Sequence, residues 1–197
     1  MHEKTRKRGI CRAYFDLPLH RKQEIEEILL ELMKDTPYDR ITVKSITDKM
    51  QIARKTYYHY FPNKQACLES LMDRLVTECS LRQMGLPEHS TLSDLCKDQL
   101  SFWVQQRPFL EAILRNHLSP LLVQRILLHV CREGNSLLEL LNTRDLDCDE
   151  DVLFFCISGH VSLMLKWCSE GFSLSLDEMV RKILRLSQEP MLPPRNN

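Results

Sequence analysis

ITVKSITDKMQIARKTYYHYFPNK, residues 41–64, decides the fold of this chain. Val43, Ile46, Thr47 and Met50 recur at helical spacing, and Thr42 stands where its hydroxyl can accept from a free amide at the helix start. Gln51-Ile52-Ala53 interrupts the pattern, and Arg54 to Phe61 reads as a second short helix. Pro62 ends it, because proline has no amide to donate and disfavours helical geometry in the residue before it. Two short helices across a tight turn form a helix-turn-helix.

The second helix carries the chemistry of a nucleic-acid surface. Arg54, Lys55, Thr56, Tyr57 and His59 offer cations, a hydroxyl, a phenol and an imidazole within about two turns. In a major groove, Arg or Lys can pair with guanine edges and Thr can meet a thymine methyl. The same composition also suits an exposed basic helix that merely covers a core. The preceding helix and turn favour the reader, with Thr42, Lys44, Tyr58, Tyr60 and Lys64 holding phosphates and register, or Tyr60 with Phe61 packing the domain.

The run TVKSITDKMQIARKTYYHYFPNKQACLESL resembles the DNA-binding signature of the TetR/AcrR family of transcriptional regulators. The matching pieces are Thr42-Val43, Ile46, Ile52, Thr56, Tyr58, Tyr60-Phe61 and Lys64 followed by Leu68. The chain departs from that pattern at Thr47 and Lys55, where small residues are usual, at Gln51 in place of Gly, and at Ala53 in place of Ser or Thr. Losing the turn glycine and the hydroxyl cap bears on the angle of the reader helix. The resemblance implies an all-α fold of about nine helices. It comprises an N-terminal three-helix DNA-binding domain and a C-terminal helical domain for ligand binding and dimerisation.

Composition agrees. The chain is 43% hydrophobic and 27% charged with only 5 Gly, which suits a helical protein better than a sheet protein. Net charge is zero, but residues 1–64 hold 14 Lys and Arg against 9 Asp and Glu, and the remainder 13 against 18. A basic N-terminal part and an acidic C-terminal part fit one domain facing phosphates and one that does not.

Residues 1–16, with Lys4, Arg6, Lys7, Arg8 and Arg12, show little periodicity and are expected to be a flexible basic arm. Such an arm either reaches into a minor groove or remains a solvated tail. A helix is expected from Leu17 or Pro18 to about Asp35, with Ile25, Ile28, Leu29, Leu32 and Met33 inward and Glu24, Glu26, Glu27 and Glu31 outward. It completes a DNA-binding domain over residues 17–64. A longer helix over 64–84 buries Cys67, Leu68, Leu71, Met72, Leu75 and Val76. In the resembling family that helix links the two domains.

Residues 85–190 read as further helices, forming the regulatory and dimerisation domain. Trp103, Phe109, Ile113, His117, Leu121, Leu122, Ile126, His129 and Val130 are candidate pocket walls, each also at home in an ordinary core, so no ligand-binding residue is assigned. Val152 to Trp167 is apolar around more than one face, as a helix buried on one side within its domain and on the other against a partner would be. The resemblance implies that the last two helices pair with their copies in a homodimer. The alternative is a helix wholly internal to the core.

Eight cysteines are many for this length, yet none makes a CxxC pair or a Cys/His cluster with zinc-ligand spacing. Most lie among Leu, Ile and Phe, where a reduced Cys behaves as a small hydrophobe; a redox or thiol-metal role is the other reading. No nucleophile elbow, phosphate-cradling Gly loop or HExxH is present, so neither an enzyme nor a cofactor is expected. No segment reaches the roughly 18 uncharged apolar residues of a membrane span, nor does the N-terminus carry a secretory apolar run, and a cytoplasmic location is expected. The expected partners are double-stranded operator DNA, a second copy of the chain and a small-molecule effector of unknown identity. A protein partner in place of the effector is the alternative.

Overall fold

A computed structural model describes the backbone of residues 3–142 and 150–188, and the side chains of 19–133 and 150–187. Those residues form nine α-helices and one 3-10 turn, with no strand among them. The helices are α1 Glu3–Asp35, α2 Val43–Met50, α3 Arg54–Tyr60, α4 Lys64–Met84 and α5 Leu92–Gln105. They continue with α6 Arg107–Arg115, α7 Ser119–Asn142, α8 Glu150–Ser169 and α9 Leu176–Gln188, and the 3-10 turn is Tyr38–Arg40. The chain divides into two compact units, Met1–Met72 and Asp73–Asn197, and α4 contributes residues to both.

In the first unit α1 packs on α2, and α2 on α3. The core is Ile25, Leu29 and Met33 from α1, Ile46 from α2, Tyr57 and Phe61, and Cys67, Leu68, Leu71 and Met72 from α4. Burying each large aliphatic side chain contributes roughly 1.5–3 kcal/mol before entropy is set against it. Two expectations are corrected here. The stretch expected as an arm, 1–16, is helical from Glu3 onward; its Lys, Arg, Glu and Ala content carries enough helix propensity to extend α1 without an apolar stripe. Glu26, expected outward, is 1% exposed. It lies on the same helical stripe as Ile25, Leu29 and Met33, and the Ser70 hydroxyl donates to its carboxylate at 2.7 Å.

In the second unit α5 packs on α6 and α9, while α8 packs on α6, α7 and α9. Helix starts carry reciprocal caps. The Asp94 amide donates to Thr91 Oγ1 at 3.2 Å and the Thr91 amide to Asp94 Oδ2 at 2.8 Å. Ser175 and Glu178 repeat this box ahead of α9. Gly171, at φ +70°, closes α8, and the Phe172 amide returns to the Trp167 carbonyl at 2.9 Å.

Helix α8 buries Leu153, Val161, Met164, Leu165, Trp167 and Cys168, and leaves Val152, Phe154 and Phe155 exposed at 45%, 42% and 58%. Its two-sided apolar character is therefore divided between its own unit and solvent. By length and mean hydropathy α8 is apolar enough to cross a membrane, although its uncharged run, bounded by Asp151 and Lys166, stays short of the expected span. Its acidic and basic residues cluster at the two ends, which leaves a long apolar centre. That centre packs partly within its own unit, as a core helix does.

Candidate nucleic-acid interface

Helix α2 starts at Thr42, whose backbone is extended, and its Oγ1 accepts from the Ser45 amide at 3.1 Å. The Thr42 amide in turn donates to Ser45 Oγ at 3.0 Å. Thr42 is legible as a cap in the sequence, and the structure adds the reciprocal Ser45, Thr-x-x-Ser being a shortened form of the usual capping box. Thr47 is buried at 2% with its hydroxyl donated to the Lys44 carbonyl at 3.0 Å, so a residue larger than usual at that place is satisfied locally.

At the turn, Gln51 adopts φ 55°, ψ 41°, a left-handed conformation that glycine takes without strain. The Ile52 amide closes on the Thr47 carbonyl at 3.0 Å and the Gln51 amide on Asp48 at 3.2 Å, so the helix end is made despite the missing glycine. Ala53 is the N-cap of α3 and offers no side-chain bond.

Helix α3 sorts its side chains by angle. Arg54, Lys55, Tyr58 and His59 are exposed, Tyr58 at 54%. At about 100° per residue they cover one arc of about 140°. Thr56 and Tyr60 are half-buried at the margin. Tyr57, expected among the groups facing DNA, is fully buried, which removes it from the contact set. Its ring lies 5.9 Å from that of Phe61 at a tilt, meets Tyr58 edge-on at 5.7 Å, and its hydroxyl donates to the Asn63 carbonyl at 3.1 Å. Burial raises its phenol pKa above the ordinary value. Tyr57 precedes Phe61 by four residues, one helical turn, a spacing that puts the two rings on one face without saying which way that face turns.

Thr42 and Lys44 are exposed at the start of α2. Lys49, further along, is paired with Glu31 at 2.8 Å, which holds the Glu31 carboxyl below its usual range. Lys64 differs from the others. Its ammonium donates to the carbonyls of Tyr38 and Ile41 at 2.5 and 2.8 Å and lies 4.0 Å from the centre of the Tyr38 ring.

A short, self-capped helix thus precedes a second that is pinned by one tyrosine and presents two cations, a phenol and an imidazole outward. Residues 29–71 match the sequence family of bacterial regulatory proteins, tetR family. The helix-turn-helix segment is thus similar to that of tetR-family regulators. A TetR-family relative, the HTH-type transcriptional regulator EthR of Mycobacterium tuberculosis, is 35% identical over 63 residues, or 32% of this chain. That match covers 29% of EthR, so it reaches under a third of the relative's length. Two solved structures share the fold at larger coverage. The fatty acid degradation regulator FadR of Bacillus halodurans has a TM-score of 0.63 at 17% identity, covering 84% of this chain and 93% of that one. A tetR-family regulator of Streptomyces coelicolor has a TM-score of 0.57 at 19% identity, covering 85% and 78%. The family match falls on the helix-turn-helix.

Among the candidate pocket walls, Trp103, Phe109, Ile113, Leu122, Ile126 and Val130 are buried, and Trp103 stacks on Phe109 at 6.3 Å. His117 is exposed in the turn after α6, at φ 58°, and is no wall. The Nε2 atoms of His129 and His160 are buried without a hydrogen-bond partner among the described residues, and burial lowers both imidazole pKa values.

Proposed function

We propose that the protein is a transcriptional repressor that binds a palindromic DNA operator as a homodimer and is released by an effector held in its C-terminal helices. The observation that carries the reading is the outward arc of α3, where Arg54, Lys55, Tyr58 and His59 are exposed while Tyr57 anchors the opposite side. Residues near the start of a reader helix meet base edges, and flanking cations and hydroxyls hold phosphates. Arg54, Lys55, Tyr58 and His59 take the first part, with Thr56 at the edge, and Thr42 and Lys44 the second. Residues 17–64 form the reader, 64–84 the linking helix, and 85–190 the effector and dimer domain. A regulator of this kind works where the chromosome is, in the cytoplasm.

The exposed Val152, Phe154 and Phe155 of α8 support pairing of the last two helices between copies. A two-fold dimer sets two reader helices on half-sites about one DNA turn, or a multiple, apart.

Selection of genomic fragments on the purified protein tests the reading. One or a few palindromic sites are expected, and a folded Arg54→Ala/Lys55→Ala protein should lose them. Only salt-sensitive, sequence-independent binding would overturn the operator assignment. Phe155→Glu should halve the mass measured by light scattering. A native protein that is monomeric, or that joins a different protein through this face, would replace the homodimer with a protein-partner mechanism.

A further inference from the structure

Lys64 carries the charge and the place of a phosphate contact, at the first turn of α4, yet its ammonium is turned inward. Two of its three donors are committed to the carbonyls of Tyr38 and Ile41, at 2.5 and 2.8 Å, and the Tyr38 ring covers it at 4.0 Å. These partners lie 26 and 23 residues earlier, in the connection between α1 and α2. Ile41 is itself buried at 2% and directly precedes Thr42, the cap of α2. On the other side, the residue before Lys64 receives the Tyr57 hydroxyl through its carbonyl. The pair Asn63-Lys64 therefore gathers the entry to α2 and the buried side of α3 at one point. Partial burial lowers the Lys64 pKa, against a smaller opposing effect of Asp39.

We propose that Lys64 is a positioning residue, whose ammonium clamps the 38–41 connection to the start of α4 and so sets where α2 and α3 meet DNA, without neutralising a phosphate itself. Two of its donors are spent on charge-assisted bonds to these carbonyls, which hold the ammonium against the 38–41 connection. The inference rests on the operator reading and goes beyond it, because it removes one cation from the contact set and gives it a different task.

Salt dependence separates the two roles, since each neutralised phosphate contributes about −0.9 to the slope of log affinity against log salt. The full-length protein, Lys64→Met, Lys64→Arg and Lys44→Met are compared on the selected operator between about 50 and 200 mM salt, with thermal melting and amide exchange measured alongside. For Lys64→Met we expect roughly tenfold weaker binding at every salt concentration. The slope should be unchanged, the melting temperature lower, and exchange at residues 41–46 faster. Lys64→Arg should fail to restore binding, because a planar fork does not fit a site shaped for a point charge. Lys44→Met should instead reduce the slope by about one. A slope reduced by about one in Lys64→Met, with full affinity in Lys64→Arg, would overturn the proposal in favour of a phosphate contact. Unchanged affinity and melting in Lys64→Met would overturn it too. If the native protein selects no operator, the DNA reading fails instead, and unchanged exchange at 41–46 in Lys64→Met would separately dismiss the clamp.

Discussion

The Tyr57 hydroxyl and the Asn63 carbonyl are hydrogen-bonded at 3.1 Å, which tethers the buried side of the reader helix to the start of α4. Its neighbour Tyr58 points the other way and is 54% exposed. Adjacent tyrosines thus have different tasks, one structural and one available to a partner.

Tyr57→Phe should lower stability by about 1 kcal/mol, the net worth of one hydrogen bond whose acceptor is left behind. Tyr58→Ala should change stability by less than about 0.5 kcal/mol and weaken operator binding. Urea denaturation of both variants, with operator titration, checks the division. A larger stability loss for Tyr58→Ala would place the wrong tyrosine in the core.

The turn is stabilised below what its geometry allows. A non-glycine residue in the left-handed region costs about 1–2 kcal/mol, offset in part by the extra unfolded-state freedom of glycine. Gln51→Gly should therefore raise stability by up to about 1 kcal/mol, and Ala53→Ser, which restores a cap to α3, by about 1 kcal/mol. Together they should raise the melting temperature by several degrees, about 2–4 °C per kcal/mol for a chain of this size. A falling melting temperature in Gln51→Gly would mean that the Gln51 side chain contributes more than its backbone strain costs.

The thiols separate by burial. Cys67 and Cys79 are pushed up to about 12, and Cys96 and Cys168 to about 11, chiefly because burial disfavours the thiolate. At pH 8 each is a thiolate for about one part in a thousand or less. Cys131 is exposed on α7. A short iodoacetamide pulse followed by peptide mapping should label Cys131 before any of those four. Early labelling of Cys168 would show that α8 opens in the native state. The side chains of Cys11 and Cys148 lie outside the described residues, so the ranking concerns Cys131 and those four.

Stability should fall on mild acidification. Burial lowers the folded-state pKa values of His129 and His160, so the unfolded chain binds more protons as pH drops through the ordinary histidine value near 6.5. The stabilisation present above that value is lost progressively toward the lower folded values. Carboxylates such as Glu170 and Asp177, held low by Lys166 and Lys97, lose their pairing only at more acidic pH. The denaturation midpoint should drop between pH 7.5 and 5.5, and His129→Gln/His160→Gln should flatten that drop. An equal slope in native and double-variant proteins would assign the titration elsewhere.

Most helix boundaries after α1, the turn and the tetR-like segment were legible in the residues themselves. Capping at Thr42, the stop at Pro62 and the apolar spacing of α4 depend on neighbours within one or two turns, and such short-range effects are written in the local sequence. Only the tertiary structure decided that Tyr57 goes inward, that Glu26 is buried against Ser70, and that Lys64 serves carbonyls 26 and 23 residues away. Composition made each of these look like surface. A rotation of about 100° per residue turns a contact into a core residue, and its reference direction is set by where α1, α4 and the 38–41 connection come together, which no local pattern specifies.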